Sequence, residues 1–342
     1  MNSPCGIYMF SSYPLPHRDI LRCKMTTIKP FLCRVVASLM LLLPSVETLA
    51  QVEAPWWDER KKEFSQQVKQ KSNESGPVAK VTAGTVIWDC AECPKMVALS
   101  FGEFVMGSAD GDANRRIDET PAHMVRIGYS LAVGIFEVTR GEFARFVRET
   151  KYRTDAERRG EGYNWQTPGI EQTDSHPVVY VSWNDTQAYI RWLNKKSGKH
   201  YRLLSEAEWE YSARAGKGTA FSWGEDINST LANYNGKITF NGKVGGESRH
   251  GTTSVGSFSP NAFGLYDVHG NVWEWVQDCY EPTYEGAPND GGARILSDCT
   301  LRVIRGGSWY SPPTFLRSAY RLGYTPDDSI DYIGLRLARS LE

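Results

Sequence analysis

The stretch Asn261-Ala262-Phe263-Gly264-Leu265-Tyr266-Asp267-Val268-His269-Gly270-Asn271-Val272-Trp273-Glu274-Trp275 decides how the rest of the chain is read. Glycine or asparagine recurs every few residues, which favours turns over regular helix or strand. Yet Phe263, Tyr266, Trp273 and Trp275 are rings large enough to anchor a loop in a core. Asp267 and Glu274 stand beside Leu265, Trp273 and Trp275, an expensive place for two like charges if they are buried unpaired. Alternatively, both reach solvent or accept backbone N–H groups.

The turn-rich character extends back to Gly216 and matches the whole composition, with 11 Trp, 17 Tyr, 31 Gly and 17 Pro in 342 residues. That length supports one large domain or two modest ones. The 39 basic and 40 acidic residues give a formal charge of -1. No Lys/Arg run adds a local basic footprint, so nucleic acid is not an expected partner.

Regular structure is expected outside the turn-rich region. Thr139 is placed to cap a helix over Arg140 to Glu149, with Phe143, Phe146 and Val147 on one face. Ser182 can cap a second, bearing Ala188, Ile190, Trp192 and Leu193 and ending at Ser197-Gly198. Ser205 and Glu208 have capping-box spacing for a third over Glu206 to Ala213. Met96 to Leu99 followed by Gly102 to Gly107 reads as a hairpin. Strands are expected at His123 to Ile127, Arg302 to Arg305 and Gly334 to Leu337. The fold class is therefore α+β with much irregular chain.

Lys24, Lys29 and Arg34 precede the apolar run Val35 to Leu43, and Leu49-Ala50 precedes Gln51. That is the order of a secretory signal peptide over residues 1–50, more ordinary in shape if translation starts at Met25. The apolar run is short for a membrane span, the competing reading being an N-terminal anchor. An exported protein of the periplasm or medium, in a bacterial envelope, is expected, and not an integral membrane protein after cleavage. Residues 51–84 read as a polar extension with one helix at Asp58 to Lys69, and 85–342 as the compact domain. Three of the seven cysteines, Cys5, Cys23 and Cys33, leave with the leader. The preferred pairing of the rest is Cys90–Cys93 and Cys279–Cys299, the second closing a Gly- and Pro-rich loop. A redox-active pair or part of a zinc site stays open for Cys90 and Cys93, although no second close pair exists to complete zinc.

Seven motifs occur in order: Phe104-Val105-Met106-Gly107-Ser108, Glu137-Val138-Thr139, Pro177 to Trp183, Tyr201 to Tyr211, Asn261 to Asp267, Gly270 to Trp275, and Arg305-Gly306-Gly307-Ser308-Trp309. Together they resemble the formylglycine-generating enzyme (sulfatase-modifying factor) family over about residues 90–340. The resemblance implies that family's variant of the C-type-lectin-like fold. Active members oxidise a sulfatase cysteine to formylglycine with oxygen and a copper ion held by two cysteines just past the Arg-Gly-Gly-Ser motif. Here those positions are Ser311 and Leu316. A hydroxyl and a hydrocarbon cannot hold the soft copper(I) that a thiolate pair selects, so copper is not expected. The family's ergothioneine-type sulfoxide synthases need an added helical domain with a histidine cluster, which this chain lacks.

The resemblance also implies calcium at the Gly270 to Trp275 loop, held by the side chains of Asp267 and Glu274 and the carbonyls of Gly270 and Val272. Such a mixture of carboxylates and carbonyls suits an ion that takes roughly six to eight oxygens. A second calcium would use Asn233 and the Tyr234 carbonyl, with Glu247 in place of the family's aspartate and Arg249 against it. By the same resemblance, the substrate-receiving pocket would be Ser308, Trp309, Tyr310, Arg317 and Arg321, with Ser311 and Tyr320 nearby. Aromatics interleaved with arginines suit an anionic or aromatic ligand, while the plainer reading makes Trp309 core and the arginines structural. His269 is expected as a turn residue or hydrogen-bond partner and not a base.

Three functions follow. The first is a binding or structural scaffold for a small-molecule, peptide or protein ligand. The second is an oxygen-dependent oxidoreductase on a non-sulfatase substrate, as in siderophore chromophore maturation by exported relatives without the cysteine pair. The third is sulfatase modification, disfavoured by Ser311 and Leu316.

Overall fold

The computed structural model describes residues 81–341. The signal peptide expected over residues 1–50, nearly all of the expected polar extension and the helix expected at Asp58 to Lys69 lie outside the described residues.

Among the described residues four α-helices are present: α1 (Arg140–Thr150), α2 (Asp155–Arg159), α3 (Trp183–Ser197) and α4 (Glu206–Arg214). All four begin alike, with a Thr or Ser hydroxyl accepting the N3 amide while the N3 carboxylate accepts the cap amide: Thr139 with Glu142, Thr154 with Glu157, Ser182 with Asp185, Ser205 with Glu208. Helix α2 escapes a hydrophobic-period reading because five residues are too few for one, although Thr154 and Glu157 carry the cap signal.

A five-stranded sheet has the order β1 (Val86–Ile87), β2 (Met96–Leu99), β5 (Leu131–Gly134), β13 (Leu337–Ser340), β6 (Arg202–Leu203), every neighbour antiparallel. A four-stranded sheet has the order β11 (Arg321–Tyr324), β10 (Arg302–Arg305), β9 (Trp273–Cys279), β12 (Ile333–Leu335), with β12 parallel to β9. Strands β3 (Gly102–Met106) and β4 (His123–Ile127) make one ribbon, and β7 (Thr239–Phe240) and β8 (Lys243–Val244) another.

Two strand expectations need correction. Met96 to Leu99 and Gly102 to Met106 do not form a hairpin; the first enters the five-stranded sheet and the second pairs with β4. A two-residue hairpin turn needs residues that accept positive φ, which Ser100-Phe101 do not supply. The strand expected over Gly334 to Leu337 breaks at Arg336, so that β12 and β13 belong to different sheets.

Phe143 and Phe146 of α1 and Tyr189 and Leu193 of α3 pack with Trp273, Trp275, Ile304 and Leu335 in the largest apolar cluster. A second joins Val97, Leu131 and Val133 to Leu204, Trp209, Leu265 and Val276. Cys90 is bonded to Cys93 and Cys279 to Cys299. Among the described residues, no helix is long and apolar enough to cross a membrane.

Candidate functional site

Strand β10 ends at Arg305, and the chain turns through Gly306 and Gly307, at φ of 99° and 74°. Glycine is required twice over at 307, because a Cβ there would lie 2.6 Å from Leu316 Cδ1. Beyond the turn, the Ser308 and Ser311 hydroxyls are 3.0 Å apart, and the Ser308 amide donates to Ser311 Oγ at 3.1 Å. Both serines are buried, and Leu316 is wholly enclosed beside Phe221, Ala232 and Tyr234. The pair is a closed hydroxyl contact next to a hydrocarbon.

This segment is fastened to the loop before β9. The Gly270 amide donates to the Gly306 carbonyl and the Trp309 amide to that of Asn271, each at 2.9 Å. His269 adds a clamp. Its Nε2 accepts the Ser222 amide at 3.0 Å, which leaves the proton on Nδ1 to donate to the Leu316 carbonyl at 2.8 Å. Burial lowers its pKa to about 4, with Arg214 adding to the effect and the Leu316 contact opposing it. His269 is therefore a neutral hydrogen-bond bridge.

Arg317 and Arg321, expected at the substrate-receiving pocket, are each held by a buried carboxylate. Arg317 Nη2 and Nη1 donate to the two oxygens of Glu119 at 2.6 and 3.0 Å, and Nη2 also reaches the Asn114 carbonyl. Arg321 holds Glu206 by two bonds of 2.7 Å. Both guanidiniums are buried and committed, because an uncompensated charge there would be costly. Arg317 does border a cleft of about 230 Å³ with Ser108, Asp112, Arg214, Thr219 and Glu225, but Tyr310 and Ser311 are not among its walls. Tyr320 stacks on Phe315 with ring centroids 4.3 Å apart. Trp309 is mostly buried, and only Tyr310, 64% exposed, stands clearly in solvent.

A buried carboxylate group lies behind the fastened loops. Glu137 accepts the Asn271 side-chain amide at 2.7 Å and the Val272 N–H at 3.2 Å. Asp267 Oδ2 accepts the Gly256 N–H at 2.6 Å, while its Oδ1 is buried without a partner. Glu274 takes Arg336 Nε and Nη2 and the Trp209 indole N–H. Burial, then the charges of Asp267 and Glu274, raise Glu137 well above the carboxylate range; burial pushes Asp267 up to about 6. One guanidinium, Arg336, thus faces three carboxylates.

A match to the family described as sulfatase-modifying factor enzyme 1-like domain extends over residues 82–341. The chain belongs to the sulfatase-modifying factor family. It is 34% identical to the inactive C-alpha-formylglycine-generating enzyme 2 of Mus musculus, the match covering 73% of this chain and 87% of that protein. Identity to the formylglycine-generating enzyme of Streptomyces coelicolor is also 34%, covering 72% and 89%. Among solved structures, PvdO from Pseudomonas aeruginosa is 39% identical with a TM-score of 0.67, covering 77% of this chain and all of that one. Treponema denticola variable protein 1, at 22% identity and a TM-score of 0.55, shares the fold.

The sulfatase-modifying factor fold here is α+β with irregular sheets, and the residues of the loop expected to hold calcium differ in how well they fit the ion. Asp267 fits, since Oδ1 is an orphaned buried oxygen. Glu274 supplies charge, but Arg336 and Trp209 already occupy both its oxygens. Glu137 completes an excess of negative charge that a divalent cation would offset. Among the described residues no group of three or more His, Cys, Asp or Glu has metal-holding geometry, so carbonyls such as those of Gly270 and Val272 would have to contribute. At the second position, Asn233 Oδ1 is also unpartnered, but Glu247 turns to Arg249 at 2.8 Å and the Tyr234 carbonyl accepts the Gly236 amide. That set fits calcium less well.

Glu137, Asn271 and Arg336 are site residues that the sequence reading missed. Glu137 and Asn271 were within quoted motifs, and only their buried hydrogen bonds reveal their part.

Proposed function

We propose that this chain is an exported member of the family, built on its variant of the C-type-lectin-like fold, that oxidises a non-sulfatase substrate with molecular oxygen. The observation that carries the reading is the contact between Ser308 and Ser311 at 3.0 Å, beside an enclosed Leu316, where a copper-holding thiol pair would be needed. Among the described residues no thiol is free, since Cys90 is bonded to Cys93 and Cys279 to Cys299. The 39% identity along the whole of the PvdO chain supports divergence toward a separate branch of the family. The role in siderophore chromophore maturation implied by the sequence resemblance indicates the kind of substrate.

Such a reaction removes two electrons and two protons from the substrate and delivers them to oxygen as hydrogen peroxide. A substrate that itself reduces oxygen, such as a catechol, needs no protein thiol; the protein binds and orients it on the face around Tyr310. Calcium at Asp267, with the Gly270 and Val272 carbonyls and the charge of Glu274, would hold the loop fastened to that face. The test is oxygen uptake and peroxide release from a catechol-bearing peptide with a copper chelator present. Protein-dependent acceleration is expected, and a rate equal to autoxidation in buffer sinks the oxidase reading. A sulfatase-motif peptide given copper and oxygen is expected to yield no aldehyde; stoichiometric aldehyde would restore the sulfatase role.

A scaffold without chemistry is the second reading, favoured by Ser311 and Leu316 standing where the copper-holding cysteines would be.

A further inference from the structure

The cleft of about 230 Å³ that has Asp112, Arg214, Glu225 and Arg317 among its walls takes no part in the reading above. Arg214 and Arg317 are buried. Arg214 is held by Glu210 at 2.7 Å and by the Gly107 carbonyl at 2.9 Å. Arg317 meets Glu119, but its Nε is buried without an acceptor. A donor left in that state costs about 1–3 kcal/mol, a penalty that a ligand acceptor reaching it would remove.

The charges behind the cleft do not balance. Glu210 also binds Arg305, and Arg305 shares Glu206 with Arg321. The four buried guanidiniums of Arg214, Arg305, Arg317 and Arg321 are thus met by three buried carboxylates, Glu119, Glu206 and Glu210. Asp278 accepts the Glu206 amide, but burial pushes it up to about 7, so it adds only part of a charge at neutral pH. The next carboxylate is Asp112, 32% exposed, whose Oδ2 is 3.5 Å from Arg317 Nη1. That separation is long for a charge-assisted hydrogen bond, so the positive excess is met only loosely. Glu225, exposed on another wall, accepts the Ala220 amide.

We propose that this cleft binds a small zwitterion of the α-amino acid type, its carboxylate on Arg317 and Arg214 and its ammonium between Asp112 and Glu225. A plain anion would gain the guanidiniums but be repelled by Asp112 and Glu225, and a plain cation would meet the reverse. Opposite charges on adjacent atoms of one molecule match a guanidinium and a carboxylate held 3.5 Å apart. The cleft is smaller than the roughly 300–1,000 Å³ of drug-sized ligand pockets, which suits a single amino acid. Tyr310 and Ser311 are not among its walls, so the inference is independent of the oxidase reading.

Ligand-observed NMR titration of the mature protein near pH 7 tests it with L-serine, L-glycerate and ethanolamine. The first carries both charges, the second only the carboxylate, the third only the ammonium. L-Serine is expected to bind with a dissociation constant of about 1 mM. Either analogue is expected to bind roughly ten-fold more weakly, each having lost one charged contact. Asp112→Asn is expected to remove most of the advantage of L-serine over glycerate. Ala109→Trp, at an exposed wall position, is expected to block all three compounds. Both side chains reach solvent, and circular dichroism confirms that each variant is folded. Absence of L-serine binding, binding no tighter than that of either analogue, an unchanged preference in Asp112→Asn, or wild-type binding by Ala109→Trp overturns the proposal.

Discussion

Arg336 donates to Glu274 Oε1 from Nε at 3.0 Å and from Nη2 at 2.7 Å, with both residues buried. The same guanidinium reaches the carbonyls of Gly134, Ile135 and Tyr266, so it ties the carboxylate group to the chain on either side. Arg336→Met leaves Glu137, Asp267 and Glu274 without their cation. A loss of about 3–5 kcal/mol is expected in urea unfolding. A loss below about 1 kcal/mol would show that the carboxylates are held neutral and Arg336 is dispensable.

Calcium removal should have a thermal signature. At a free concentration about a hundred times its dissociation constant, a bound ion adds about 2.7 kcal/mol. For a domain of this size, that is several degrees in Tm. A chelator is expected to lower Tm and calcium to restore it, and Asp267→Ala to abolish the difference. An unchanged melting curve in protein shown by elemental analysis to start with bound calcium removes the metal proposal.

Gly307 and Leu316 are coupled through space. Gly307→Ala adds a Cβ 2.6 Å from Leu316 Cδ1 at a backbone φ of 74°, so a loss of about 2–4 kcal/mol is expected. Leu316→Ala alone should lose about 2–5 kcal/mol through its cavity. The double variant should lose less than the sum, because the alanine methyl then enters vacated space. Strict additivity would mean that φ strain alone sets the cost at 307.

Asp278 supplies a pH test away from the metal loop. Burial, then the charge of Glu206, pushes its carboxyl up to about 7, against the opposing amides of Arg294 and Glu206. The unfolded chain ionises near pH 4, so the folded state holds this proton more tightly. Its contribution is full below about pH 4 and is lost as pH rises toward 7. Across that range Asp278→Asn should gain on the wild type by on the order of 2–4 kcal/mol in urea midpoint series. Parallel pH profiles for the two proteins would contradict the assignment.

Three of the four helices were legible because Thr139, Ser182 and Ser205 announce their starts locally. Family membership was legible because motifs keep their order. The sheets were not, since strand partners such as β5 and β13 are set by packing between residues about 200 positions apart, far beyond any periodicity. Arg317 and Arg321 read as ligand contacts because their partners, Glu119 and Glu206, are remote in sequence.

The break at Arg336 also bears on how the sheets are coupled. Strand β13 is an inner strand of one sheet and β12 an edge of the other, so both remain incomplete until residues 333–340 arrive. Neither sheet has its full hydrogen-bond ladder without this one segment. Residues 333–340 are thus the short tether through which disturbance of one sheet is passed to the other.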